Sequence, residues 1–180
     1  MTAERFHDRT EAGRLLAAKL QAYANRQDVL VVALPRGGVP VGFEIAKALH
    51  APLDVFVVRK LGVPGQEELA MGAIASGGVQ VLNDWVVREL GISEREIQSV
   101  AARERLELER REQRYRSGRA APQVRHRTVI LVDDGIATGT TMRVAIRALR
   151  QQQPARLIVA IPIAPTSTVL ELRAAGEEVV

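Results

Sequence analysis

Residues 128–141, TVILVDDGIATGTT, place the tightest limit on what this chain can become. The first five are β-branched or apolar without alternation, the pattern of a strand buried on both faces in the middle of a parallel sheet. Asp133 and Asp134 stand where that strand ends, and a loop of small and hydroxylated residues follows. Residues 142–150 then read as a helix. Open parallel sheets bind ligands at the carboxyl ends of their strands, so this junction is the place to expect a site. Backbone N–H groups at a helix N-terminus favour an anion. Thr138, Thr140 and Thr141 add hydroxyl donors, and Gly139 allows close backbone approach. Acids followed by an anion cradle suit a ligand with both hydroxyls and a phosphate, as in ribose 5-phosphate. A plain Asp-Gly turn with a Thr cap accounts for Asp134-Gly135 and one threonine. It leaves the acid pair and the other threonines unexplained.

The rest of the chain repeats strand and helix. Residues 10–24 have helical apolar spacing, with Asp8 or Thr10 as cap. Residues 29–34 form a second all-apolar strand that runs into Pro35-Arg36-Gly37-Gly38, and residues 39–49 read as a helix. Residues 53–58 are a third buried-type strand, ending in Arg59-Lys60. Residues 71–75 and 79–82 flank Ser76-Gly77-Gly78, a hairpin signal. A short helix follows Asn83 or Asp84, and Ser93-Glu-Arg-Glu96 is a capping box for a long helix reaching Ser117-Gly118. Strand 156–163, helix 166–174 and a last strand from residue 177 complete the alternation. The expected fold is α/β and doubly wound, with a mostly parallel sheet of about five strands, a small hairpin insertion and a long charged helix.

Composition narrows the function. The chain has 180 residues, suiting one domain, and no cysteine, which excludes disulfides, thiolate metal sites and Cys nucleophiles. Aromatics make up only 3%, against a stacking platform for single-stranded nucleic acid. No apolar run has membrane-span length and the N-terminus lacks a signal core, so a cytoplasmic protein is expected. Ten Arg and six Glu fall in residues 94–127, so the whole net charge of +4 belongs to that segment. Its Glu–Arg pairs at helical spacing point to a solvated or interface helix held by ion pairs. Nucleic-acid binding, or a rim guiding an anionic substrate, are the sharper alternatives. No role falls to His7, His50 or His126, and Glu67 and Glu68 read as surface acids.

Residues 128–141 resemble the phosphoribosyl-pyrophosphate (PRPP) signature of the type I phosphoribosyltransferases. No P-loop and no Gly-x-Gly-x-x-Gly pattern competes. The resemblance covers residues 29–163 and implies one phosphoribosyltransferase-like domain over residues 1–180. Residues 60–118 would be an insertion holding a mobile loop, hairpin and charged helix. It implies that Asp133 and Asp134 contact the ribose hydroxyls, and that Ala137, Thr138, Gly139, Thr140 and Thr141 hold the 5-phosphate. Arg36, Gly37 and Gly38 match the loop that binds pyrophosphate through backbone amides, although a Gly-Gly pair is often only a turn. Arg59-Lys60 resembles the basic pair placed beside the leaving pyrophosphate, where cations are wanted; solvated residues at a strand end are the plainer alternative. Also implied are Mg2+ near Asp133 and Asp134 through water, a nitrogen acceptor, normally a nucleobase, release of pyrophosphate, and a place in nucleotide metabolism. A homodimer is expected; nucleic acid and membrane are not expected partners.

Two departures matter. Purine-salvage members often carry an acid at the position of Ala137, which disfavours a hypoxanthine or guanine enzyme of that type. Many members also build a base-binding hood from the C-terminus, and little chain follows residue 163. The hood is expected from the N-terminal helix, the helix at residues 94–118, or chain beyond Val180. A regulator that senses PRPP or a nucleotide on the same fold stays open beside the enzyme.

Overall fold

The computed structural model describes residues 6–137 and 139–180. The chain divides into two compact units: residues 1–55, 122–139 and 153–180 form the first, and residues 56–121 and 140–152 the second.

The first unit is built on strands β1 (Val29–Ala33) and β2 (Leu53–Val55), with helices α1 (Arg9–Lys19) and α2 (Gly38–Leu49). The second holds strands β3 (Val58–Val63), β4 (Gln66–Ala75) and β5 (Val79–Leu82), helices α3 (Asp84–Glu89) and α4 (Glu94–Arg116), and, later in the chain, α5 (Thr140–Gln151). Strands β6 (Thr128–Val132), β7 (Arg156–Ala160) and β8 (Glu178–Val179), with helix α6 (Thr166–Ala174), return to the first unit.

The first unit's sheet has the order β2-β1-β6-β7-β8, and every pairing in it is parallel. The expected α/β architecture is present, with its five-stranded parallel sheet, small antiparallel hairpin sheet and long charged helix. Every residue of β1 and β6 is buried, as their unbroken apolar runs require: strands in the middle of a covered parallel sheet bury both faces. Leu20, Ile45, Leu49, Ile130 and Ile158 are fully buried in the core where α1 and α2 lie against the sheet. Asp8 caps α1 by accepting the Glu11 N–H at 2.8 Å, which holds its carboxyl below the usual range. At the entry to β6, the Thr128 hydroxyl donates to Asp28 at 2.7 Å. Arg26 and Thr128 together lower the Asp28 carboxyl to about 2.

In the second unit β3, β4 and β5 form an antiparallel sheet. The hairpin between β4 and β5 turns at Gly77 and Gly78, both at positive φ. Residues 53–58 are not one strand: β2 stops at Val55, and β3 begins at Val58 in the other sheet. Arg59 and Lys60 therefore lie inside an antiparallel strand, not at the end of a parallel one. The apolar run VFVV, residues 55–58, disguises the break, because Phe56 and Val57 are as buried as strand residues. Strand β4 is also longer than expected, reaching back to Gln66 through the exposed polar residues Gln66, Glu67 and Glu68.

Helix α4 opens with the capping box at Ser93 and Glu96. It turns Ile97, Val100, Ala101 and Leu108 inward. Glu107 pairs with Arg110 at 2.8 Å and Arg111 at 2.9 Å, holding its carboxyl down to about 2. These are the ion pairs expected from the Glu–Arg spacing. Trp85, on α3, is 68% exposed. No helix among the described residues is long and apolar enough to cross a membrane.

The buried centre of the sheet should dominate stability. Ile130→Ala removes a fully buried side chain and is expected to cost about 2–5 kcal/mol, read from urea unfolding followed by circular dichroism.

Candidate functional site

The candidate residues of the first unit meet at the carboxyl ends of β1 and β6. The two strands pair in register, with Ala33 opposite Val132. Beyond that point the Leu34 N–H donates to the Val132 carbonyl at 2.8 Å. The loops leaving each strand thus start side by side. One carries Arg36, Gly37 and Gly38; the other carries Asp133 and Asp134.

Their contact explains the glycine pair. A Cβ on Gly37 would fall 2.1 Å from a carboxylate oxygen of Asp134. A Cβ on Gly38 would fall 2.7 Å from the Val132 carbonyl oxygen and 2.9 Å from the Asp133 Cα. At Gly38 the obstacle is backbone, so that residue must be glycine for the acid loop to lie where it does, whereas a side chain at Gly37 would have to push the Asp134 carboxylate aside. Neither needs positive φ; the demand is for space. Gly38 opens α2, and the Pro35–Arg36 peptide is cis. The Arg36 side chain is exposed and forms no hydrogen bond or ion pair among the described residues.

The two acids differ. Asp133 is half-buried and its carboxyl is pushed up to about 6, first by burial and then by the Asp134 carboxyl, through a side-chain hydrogen bond and its charge. It accepts the Asp134 N–H at 2.9 Å. Asp134 is held by Arg9, the first residue of α1, whose Nε donates at 2.8 Å and whose second nitrogen lies 2.7 Å away. Sequence reading missed Arg9. It lies 125 positions from its partner, and nothing in its neighbours sets it apart from any arginine in a first helical turn.

The loop after the acids is pinned by the Ile136 N–H donating to the Ile163 carbonyl at 2.9 Å. Ala137 is exposed. Thr138 lies outside the described residues. Gly139 is buried with φ +76°, a left-handed backbone that glycine adopts without penalty.

In the second unit, Thr140 and Thr141 form the first turn of α5 and are exposed. The helix therefore starts two residues before the expected position 142. Arg59 is already engaged, its guanidinium donating to Glu104 of α4, at 3.0 Å from Nε. Lys60 lies 3.6 Å from Glu68 and donates to that residue's carbonyl at 3.3 Å. Lys60, Thr140 and Thr141 share the lining of a cavity of about 700 Å3. Among the described residues no group of three or more acids or histidines stands ready to hold a metal.

Comparison with known proteins establishes the family and the fold. The phosphoribosyl transferase domain matches residues 3–178, and the chain belongs to that family. Two Mycobacterium tuberculosis proteins, provisionally named phosphoribosyl transferases, are 47% identical over 175 residues. The match takes in 97% of this chain but 39% of theirs, so the chain spans well under half the length of these relatives. The crystal structure of TT1426 from Thermus thermophilus is 42% identical, with a TM-score of 0.82 over 98% of this chain and 83% of that one. A Staphylococcus aureus hypoxanthine phosphoribosyltransferase shares the fold at 13% identity and TM-score 0.51, covering 89% of this chain and 65% of its own.

The raised Asp133 carboxyl makes a signed prediction. A folded-state value above the unfolded one means the folded protein binds the extra proton, so this contribution to stability is lost as pH rises toward and through about 6. Asp133→Asn should therefore raise the melting temperature at pH 7.5, and its advantage should vanish near pH 4. Thermal unfolding of both proteins across that range reads the difference.

Proposed function

We propose that this chain binds PRPP with Mg2+ and transfers its ribose 5-phosphate to a nitrogen nucleophile, a nucleobase, releasing pyrophosphate. The observation that carries the reading is the packing of Asp133 and Asp134 against Gly37 and Gly38 at the carboxyl edge of the sheet. Membership of the phosphoribosyl transferase family supports it. The proposal extends to the whole protein's acceptor and partners: a cytoplasmic, homodimeric enzyme of nucleotide metabolism.

In this reading Asp133 and Asp134 hold the ribose hydroxyls. Arg36 and the backbone of Gly37 and Gly38 take the diphosphate, and residues 137–141 take the 5-phosphate. The carboxylate pair fits Mg2+, which binds through one or two carboxylates together with substrate oxygens and water; no larger acid cluster is needed. The ion, when bound, would neutralise diphosphate charge. The protein's own contribution is positioning and fixed charge rather than covalent chemistry. Arg59 and Lys60 keep the expected role of countering charge on the leaving diphosphate. Ala137 offers no acid to an acceptor base, so a purine-salvage enzyme of the type with an acid there stays disfavoured.

One observation favours the second reading, a sensor that binds PRPP without turnover: Arg59 is already paired with Glu104. Incubation with PRPP, Mg2+ and a panel of bases separates the two. Pyrophosphate release with any base supports the enzyme, and binding without release supports the sensor.

Asp133→Asn combined with Asp134→Asn should abolish PRPP affinity while the circular dichroism spectrum is kept. In the unaltered protein, affinity for Mg-PRPP should weaken as pH falls below about 6, because the protonated Asp133 carboxyl no longer attracts the cation. Calorimetry at a series of pH values measures both, and undiminished binding by the double variant would rule out this site.

A further inference from the structure

Two arginines at the carboxyl edge of the first unit's sheet are used differently. Arg36, in the glycine loop itself, is exposed and forms no hydrogen bond or ion pair among the described residues. Arg9 comes from another element, and two of its nitrogens close on one Asp134 carboxylate oxygen, at 2.8 and 2.7 Å. Its reach follows from helix packing. Helices α1 and α2 run side by side in the same direction: a Cβ on Gly13 would meet the Val41 carbonyl oxygen at 2.8 Å. Further along, Ala17 and Gln21 line a groove with Lys47 and Ala48. Arg9 stands about one turn before Gly13, and Gly37 stands about one turn before Val41. The start of α1 is therefore held beside the glycine loop, and the Asp8 cap fixes its first turn.

The carboxylate held by Arg9 lies against the backbone of Gly37. Its carbon and both oxygens fall 2.1–2.4 Å from the point where a Gly37 Cβ would stand. It covers the loop to which the diphosphate is assigned, and a carboxylate at that point repels an incoming anion. Turned this way, Asp134 is spent on a guanidinium and is not offered to a sugar hydroxyl or a cation.

We propose that the Arg9–Asp134 ion pair is an autoinhibitory latch: it parks Asp134 over the glycine loop and must open for Mg2+ and PRPP to be taken up. The inference rests on the PRPP reading of this site. A closed form that excludes the ligand lowers apparent affinity in proportion to its population. The Arg9 side chain is 60% exposed, and a water-facing ion pair favours its closed form by only about two- to fivefold. The latch therefore tunes uptake and does not abolish it.

Calorimetry with PRPP and Mg2+ tests it. Arg9→Met keeps a long side chain without its charge and should bind PRPP about two- to fivefold tighter than the unaltered protein. Arg9→Lys replaces a planar fork with a single point charge and should fall between the two. The gain in Arg9→Met should shrink as sodium chloride rises from about 0.05 to about 0.5 M, because salt screens a water-facing pair; altered packing at residue 9 would be indifferent to salt. Circular dichroism confirms the fold of each variant. Crystals grown with PRPP and Mg2+ should show Asp134 turned away from Gly37 and its contact with Arg9 broken. Equal or weaker binding by Arg9→Met, a gain unchanged by salt, or an intact Arg9–Asp134 pair in the complex would each overturn the latch while leaving the PRPP reading in place. No PRPP binding by the unaltered protein or either variant would remove that reading and the latch with it.

Discussion

The parallel pairing of β1 with β6 is the constraint on which the candidate site rests. Both strands are buried throughout, and a one-residue slip in a strand would turn its side chains to the opposite face. The register is therefore tightly held, and it delivers Leu34 opposite the Val132 carbonyl. From that point the spacing of the two loops is fixed before any ligand arrives. Gly37 and Gly38 are consequences of the spacing: they are the residues small enough to let two acids lie across them.

Much of this was legible from residue types. Five consecutive β-branched or apolar residues ending in two acids can do little except form a central strand with a polar end, and β6 is that strand. The second such run, at residues 29–34, had the same character and became its neighbour. Even the order of capping on α1 and α4 followed from Asp8 and from Ser93 with Glu96, because side-chain capping is a local event that sequence records directly.

What escaped was long-range or hidden by uniform burial. Arg9 and Asp134 are joined only by the fold, and no periodicity relates them. Residues 53–58 looked like one strand because burial in two different sheets leaves the same apolar signature. By sequence Arg59 is a cation at a strand end; its guanidinium is bound to Glu104, a partner that only the packing of α4 on β3 supplies. The start of α5 moved back to Thr140 because threonine is tolerated in a first helical turn, where its hydroxyl finds local partners. Hydroxylated residues suit a loop and a helix start equally, so composition alone did not choose.

Trp85 is the chain's one tryptophan, and it stands largely in water beside Asp84. An indole already solvated in the native state changes its surroundings little when the sheet melts, so its emission is a poor gauge of global unfolding. The same exposure makes it an intrinsic optical label for events near the start of α3, readable by quenching or spectral shift with no dye attached.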